Sequence, residues 1–207
     1  MPLWGTAHAS EDNKPKYLPD DANSPYDKTN VYADQSGWVA RAGSKATGNG
    51  NTDADPEILV AIGGLAGATA STGLKHPTIT NVRWVSSAVS HGSSDNIALE
   101  VTWDEEIKRP AGGSLPTITT ATTAVVLTMS HINGVAYHAT NNNQGNTIRF
   151  TGDTSGAGNY TIADETAMAN RATLDDAVSG TALEAASGKI LTGSGEAGAN
   201  IGTCVAS

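Results

Sequence analysis

The chain of 207 residues has little of what most proteins use to build a core or a reactive site. Aromatic residues make up 5% of it and charged residues 16%, against roughly 25% charged residues in an ordinary globular protein. Cys204 is the single cysteine, so neither an internal disulfide nor a paired-cysteine metal site can form. The most apolar run, residues 58–70, is too short and too rich in glycine to span a bilayer. We therefore expect no membrane association.

Positive charge is also scarce. The 12 Lys and Arg against 21 Asp and Glu leave a net charge of −9. A nucleic-acid partner would need a clustered basic surface, and the densest basic pair, Lys108 and Arg109, comes soon after two glutamates. We expect no nucleic-acid partner. The first residues contain neither the basic nor the apolar stretch of a secretory signal, so we expect a protein that is made in a cytoplasm and is soluble there.

The clearest pattern that is present lies in residues 96–106. Apolar and other residues alternate there: the apolar positions are Ile97, Leu99, Val101 and Trp103, and the positions between them are Ala98, Glu100, Thr102 and Asp104. Alternation with a period of two predicts a strand with one buried face and one solvent-exposed face, which is typical of an antiparallel sandwich. Trp84 and Trp103 are expected in its core.

More strands follow from the same kind of pattern. They are separated by breaks rich in Gly, Asn, Asp and Ser, and are expected at residues 78–85, 117–119, 124–129, 135–140, 147–151, 160–163 and 189–192. Asn133-Gly134 predicts a two-residue hairpin turn between two of them. Residues 164–172 and 174–186 contain helix-forming residues and predict at most one or two short helical turns. The fold class is therefore all-β, a sandwich of about seven strands.

The N-terminal third is different. Residues 1–76 form a predicted extended arm and linker, polar and with scattered aromatics, in which residues 57–62 could form a buried strand. Such a segment cannot bury enough apolar area alone, so it either lies across a partner or packs against its own chain. The candidate partner-binding residues are Leu3, Trp4, Tyr17, Tyr26, Tyr32, Trp38, Val39 and Arg41. The sandwich is expected at residues 77–183, and residues 184–207 form a last strand or a flexible tail.

No pattern for catalysis is present. The five histidines form no metal-binding motif, and we expect no cofactor and no metal. The acidic groups 104–106 and 175–176 are predicted to be a solvated edge or a weak cation site, because a catalytic carboxylate pair needs opposed walls of a cleft. Residues 49–55 alternate oxygen-bearing side chains but lack the spacing of a calcium loop, so a polar turn is the favoured interpretation. We expect a protein that is not an enzyme.

Two resemblances give these predictions a direction. The stretch from ITNVRWV through IALEVTWDEEI, PTIT, TIRFTG and GNYTIADET resembles the bacterial immunoglobulin-like domains of surface-layer and adhesive proteins. The resemblance covers about half of the chain. The N-terminal blocks MPLWG, NKPKYLPDD, SGWVARAGS and DPEILVAIGGLAG resemble structural proteins in the virions of tailed phages, particularly phages of cyanobacteria.

The second resemblance implies a virion component and does not say which one. From the aromatic arm joined to a sandwich, we expect a capsid decoration, or cement, protein on the outer surface of the head, made in the host cytoplasm. Its partners would be the major capsid protein and neighbouring copies of itself, held by the aromatic arm. The alternative is a tail, neck or fibre component whose immunoglobulin-like domain binds a host-surface glycan. Exposed tryptophans on the sandwich would favour this alternative.

Overall fold

The computed structural model describes residues 30–34, 37–45, 47–61, 77–90, 96–140, 143–154, 156–177 and 180–207. These residues form fifteen strands and no α-helix. The strands of the N-terminal third are β1 (Val31–Asp34), β2 (Gly37–Ala40) and β3 (Glu57–Ala61). Those that follow are β4 (Ile79–Trp84), β5 (Ala88–Val89), β6 (Asn96–Arg109), β7 (Thr117–Thr119), β8 (Val126–Ile132), β9 (Val135–Ala136), β10 (Asn143–Asp153), β11 (Gly158–Tyr160), β12 (Thr166–Ala167), β13 (Asp175–Asp176), β14 (Lys189–Ile190) and β15 (Cys204–Ala206).

Most of these strands belong to one large sheet, and the fold is an all-β, sandwich-like arrangement. Its strand order is β3-β2-β1-β6-β10-β8-β7, with β4 and β13 also pairing with β6 and β9 pairing with β8. A second sheet has the order β11-β15-β5, and a third joins β12 to β14. Pairing is antiparallel except between β1 and β6 and between β15 and β5.

The core lies around β6, the longest strand. Its largest fully buried side chains are Trp103, Tyr160, Phe150, Ile97, Leu99, Ile107, Ile118, Leu127, Ile148, Met168, Leu174 and Ile190. Trp103 Nε1 donates a hydrogen bond to the carbonyl oxygen of Ser187 at 2.7 Å, so the indole is buried without leaving its donor unsatisfied. Trp84 is 8% exposed and Trp103 is not exposed at all. The prediction that both tryptophans are core residues is confirmed.

The predicted solvent-exposed face of β6 is wrong. Glu100 is 7% exposed, Thr102 1% and Asp104 2%, so both faces of the strand are buried over its middle. The reason is that side chains of the flanking strands reach over this face: Arg83 on β4 and Arg149 on β10 bind Glu100, and the Thr147 hydroxyl lies 3.1 Å from that of Thr102. The alternating pattern identified the strand, but the polar positions form an internal polar layer instead of a wet surface.

Two local predictions can be compared with the structure directly. Asn133 (φ 47°) and Gly134 (φ 77°) form the predicted tight turn between β8 and β9, where Ile132 pairs with Val135. The helix candidates give only 3₁₀ turns, at Arg171–Thr173 and Ala186–Gly188. Glu165 (φ 61°) and Asn170 (φ 56°) have left-handed backbone conformations, which a right-handed helix cannot contain.

Both ends of the described chain belong to the fold. Strands β1, β2 and β3 lie within the predicted arm 1–76 and extend the large sheet, so this part of the arm is regular rather than irregular. At the other end, β14 and β15 pair with β12, β11 and β5, and Cys204 is fully buried. Of the two alternatives for residues 184–207, the structure has the strand. None of the described residues forms a helix long and apolar enough to cross a membrane.

Candidate functional site

The predicted partner-binding residues divide into two groups. Leu3, Trp4, Tyr17 and Tyr26 lie outside the described residues. Tyr32, Trp38 and Val39 lie on β1 and β2, where Tyr32 pairs with Val39, and they are 5%, 2% and 0% exposed. These three side chains are buried within the chain. For them, the alternative that the segment packs against its own chain describes the structure.

Arg41, the last of the predicted residues, fastens the N-terminal strands to the rest of the sheet. Its guanidinium donates to Oδ1 of Asn146, which sits on β10. Asn146 is fully buried, and its Nδ2 lies 3.4 Å from the backbone oxygen of Trp103 on β6. Asn146 faces the irregularity between β10 and β6, where the pairing shifts between Gly145 and Thr147. No sequence signal pointed to it, because its partners are distant along the chain.

The internal polar layer of β6 contains an ion-pair cluster. The Arg83 guanidinium contacts Glu100 Oε2 at 2.8 Å, and the Arg149 guanidinium contacts Oε1 at 2.7 Å. Each arginine also donates through Nε at 3.0 Å to the same oxygen, so each contacts one carboxylate oxygen through two nitrogens. The two ion pairs link β4, β6 and β10. Burial raises the pKa of the Glu100 carboxyl, but the hydrogen bonds from Arg149 and Arg83 outweigh it, and the pKa is lowered overall. The cluster is a structural clamp.

A second group of carboxyls lies further along the same strand. Asp104, Glu105 and Asp176 are 2%, 4% and 4% exposed, so the predicted solvated edge is wrong for these three residues. The backbone N–H of Thr78 donates to Asp104 Oδ1 at 2.6 Å. Burial, and then the neighbouring charges of Asp104 and Asp176, raise the pKa of Glu105 to about 10. A substrate has no access to groups this buried, and the described residues contain no group of three or more that could hold a metal ion.

The loop of residues 49–55 is a polar turn in the structure. The backbone N–H of Asn51 donates to Asn49 Oδ1 at 3.0 Å, and that of Asp53 donates to Asn51 Oδ1 at 3.0 Å. These side chains therefore satisfy their own backbone in successive turns, as Asn does in many loops. The geometry favours the polar turn over the calcium interpretation.

The exposed surface of the described residues has one concentrated apolar site, on β3. The strand was expected to be buried, but Ile58 is 54% exposed, Leu59 36% and Val60 38%. This strand is the end member of the large sheet and, among the described strands, pairs with β2 alone. An exposed apolar edge strand is a template for pairing with another chain. The strand β3 is therefore the candidate functional site, as an exposed apolar edge of the large sheet.

No family model, no curated protein and no solved structure matches the chain. The resemblances to bacterial immunoglobulin-like domains and to tailed-phage virion proteins therefore stay predictions.

Proposed function

We propose that this chain is a non-enzymatic structural protein of a tailed-phage virion, a decoration protein that binds and stabilises the head lattice. The observation that carries the proposal is the exposed apolar edge of β3 in the N-terminal third, which offers a contact to a neighbouring subunit, while the contact with the capsid itself is expected from residues 1–29. Its three consecutive residues Ile58, Leu59 and Val60 are among only seven large hydrophobics exposed in the described part of the chain. Soluble proteins that do not assemble rarely leave such an edge uncovered. The assignment to a phage virion rests on the sequence resemblance of the N-terminal blocks, and the assignment to the head rests on the predicted capsid-binding arm.

The body attached to this edge supports a mechanical role. The Glu100 clamp ties three strands together inside the sheet. Arg109 is 3% exposed and donates to the carbonyl oxygens of Thr173 at 3.2 Å and Gly113 at 3.1 Å. These bonds hold the loop after β6 against the 3₁₀ turn Arg171–Thr173. Buried polar groups that are hydrogen-bonded to several segments rigidify a fold. A rigid protein with an exposed apolar edge suits a component that resists internal pressure by linking subunits.

The described tryptophans favour lattice binding over glycan binding. Sugar-binding sites commonly stack a sugar on an exposed aromatic ring, which supplies a large apolar contact with a polar rim. Trp38, Trp84 and Trp103 are at most 8% exposed. In the described part of the chain, no tryptophan is available as a stacking platform, so the host-glycan alternative has no support from these residues.

The experiment is co-sedimentation of the purified protein with empty capsids that lack it, with copies per particle measured. We expect saturation at hundreds of copies, in proportion to the major capsid subunits. A variant without residues 2–29 keeps every described strand and should lose binding, whereas a deletion of residues 2–40 would also remove β1 and β2. Val135→Lys, at a residue 62% exposed and far from β3 in sequence, is the matched control and should bind normally.

A low copy number would indicate a different location in the virion. Saturation at about a dozen copies or fewer, as expected for a vertex or neck position of low symmetry, would contradict lattice decoration. Host polysaccharide would then be the ligand to test by titration calorimetry. Full binding by the 2–29 deletion would show that the arm is not the capsid-binding segment.

A further inference from the structure

The edge of β3 has a local irregularity that determines what it presents. Trp38 on β2 pairs with Val60, and Val39 pairs with Ile58, so Leu59 is an extra residue with no partner on β2. Bulges commonly protect an edge by twisting it or by aiming charged groups outward. Here the bulged residue is leucine, and the residues on both sides of it are also apolar and exposed. The side chains at the bulge and beside it therefore keep this edge apolar.

The sequence of β3 is complementary to itself when it is read in the opposite direction. In an antiparallel pair of two β3 strands centred on Leu59, Leu59 faces Leu59, Ile58 faces Val60, and Glu57 faces position 61, an alanine. Apolar residues thus meet apolar residues, and no two like charges are opposed. A parallel in-register pair would instead place Glu57 beside Glu57 of the other strand, which is destabilising.

We propose that β3 pairs antiparallel with β3 of a second copy of this chain, on a two-fold axis through Leu59. A contact in which the same patch of each subunit meets itself is the isologous type found in most symmetric dimers. The large sheet of one copy would continue into the large sheet of the other. As a link between neighbouring copies on a lattice, the inference rests on the proposed function, with capsid binding left to residues 1–29. The pairing itself does not require a capsid.

The contact between two β3 strands is small, so its affinity is low. A stable interface buries roughly 800 Å² on each partner, which a single five-residue strand edge does not reach. The net charge of −9 on each copy also opposes association at low salt. We therefore expect weak pairing in dilute solution. Copies held side by side on a lattice would pair readily, because tethering raises the effective concentration to about the millimolar range.

Cysteine cross-linking of the free protein tests the axis. Under a mild oxidant, Leu59→Cys should form a disulfide dimer at least about ten-fold faster than Val135→Cys, because only the first is held near its copy. Wild type is the control for Cys204, which is fully buried and whose thiol pKa is raised by burial, so it should not react. Ile58→Cys should cross-link faster with Val60→Cys than with itself, since the register places these two positions opposite each other.

Sedimentation velocity over a concentration series gives an independent readout. Wild type and Val135→Lys should show the same concentration-dependent rise in sedimentation coefficient, and Leu59→Lys should show none. The proposal is overturned if Leu59→Cys cross-links no faster than Val135→Cys, or if wild type remains as monomeric as Leu59→Lys at every concentration.

The two proposals fail separately. If β3 links copies and the arm binds the capsid, Leu59→Lys still binds capsids but loses the cooperative part of its binding curve, and the 2–29 deletion still dimerises. Pairing without any capsid binding would refute the decoration role and leave the β3 contact standing. Complete loss of capsid binding by Leu59→Lys, together with a monomeric wild type, would assign β3 to the capsid and refute its pairing with a second copy.

Discussion

Strand β6 contains two buried glutamates, Glu100 and Glu105, in opposite electrostatic surroundings. Glu100 is 7% exposed and is held by Arg83 and Arg149 at 2.8 and 2.7 Å. Glu105 is 4% exposed, and the charges that act on its carboxyl are those of Asp104 and Asp176. The pKa of Glu100 is lowered, and that of Glu105 is raised to about 10. Burial raises the pKa of both carboxyls; at Glu100 the hydrogen bonds from Arg149 and Arg83 outweigh it, and at Glu105 the charges of Asp104 and Asp176 add to it.

The difference teaches what each part of the strand is for. Glu100 is ionised and joins β4, β6 and β10 through Arg83 and Arg149, whose side chains are partly exposed. Glu105 lies where β1 of the N-terminal third joins β6, with Ala33 paired to Glu105. At neutral pH its carboxyl is held in the protonated form, and there it costs stability. The junction between the N-terminal strands and the sandwich is thus the less optimised of the two regions.

The same substitution at both positions should have opposite effects, and the larger is at Glu100. Glu100→Gln removes the charge that both arginines bind and should lower the free energy of unfolding by about 2–3 kcal/mol at pH 7. This is less than for a fully buried pair, because the Arg83 and Arg149 side chains are 41% and 32% exposed. Urea denaturation measures it. The lowered pKa means that this stabilisation is present above the unfolded-state pKa near 4.5 and is lost as the pH falls through the folded-state pKa. An unchanged midpoint for Glu100→Gln at pH 7 would contradict the clamp.

Glu105→Gln should instead stabilise the protein, by about 1–2 kcal/mol at pH 7. Glutamine resembles the protonated carboxyl and has no charge to lose on unfolding. With a raised pKa, the folded state retains a proton that the unfolded state releases above pH 4.5, so wild-type stability falls as the pH rises from 4.5 towards 10. The advantage of the variant should therefore grow over that window, by at most about 1.36 kcal/mol per pH unit. Urea midpoints from pH 5 to 9 measure this growth. A constant difference would mean that Glu105 is ionised in the folded state.

The sequence was sufficient to locate the central strands, and insufficient for β1 and β2 and for the surroundings of the strands. Alternation in residues 96–106 located β6, and Asn133-Gly134 located the hairpin turn, because both signals are local. The burial of Glu100 depends on Arg83 and Arg149, which lie on other strands, and no period-two pattern contains that information. Likewise, residues 57–61 had the composition of a buried strand, and only the strand order makes β3 an exposed edge. Tyr32 and Trp38 were predicted as partner anchors because their own sheet was not foreseen.

Two conservative substitutions, with a smaller expected effect, separate the contribution of charge from that of hydrogen-bond geometry at Glu100. Arg83→Lys and Arg149→Lys each keep the positive charge but lose the fork that contacts one carboxylate oxygen through two nitrogens. Each should lower stability by about 1 kcal/mol, with the larger loss for Arg149, which is the less exposed of the two. Thermal and urea unfolding of the two variants side by side measures the difference. If either variant alone lost as much stability as Glu100→Gln, that arginine alone would account for the stabilisation that Glu100 provides.

The smallest predicted effect is the coupling between the two glutamates. Five residues of strand separate Glu100 from Glu105, about 17 Å, and they share no hydrogen-bond partner among the described contacts. Effects at such a distance usually add within about 0.5 kcal/mol. The double variant Glu100→Gln/Glu105→Gln should therefore have a free energy of unfolding equal to the sum of the single effects, measured by the same urea titration. A coupling well above that limit would mean that the interior clamp and the β1 junction form one cooperative polar network, and that strain at the junction is transmitted along β6 into the sandwich.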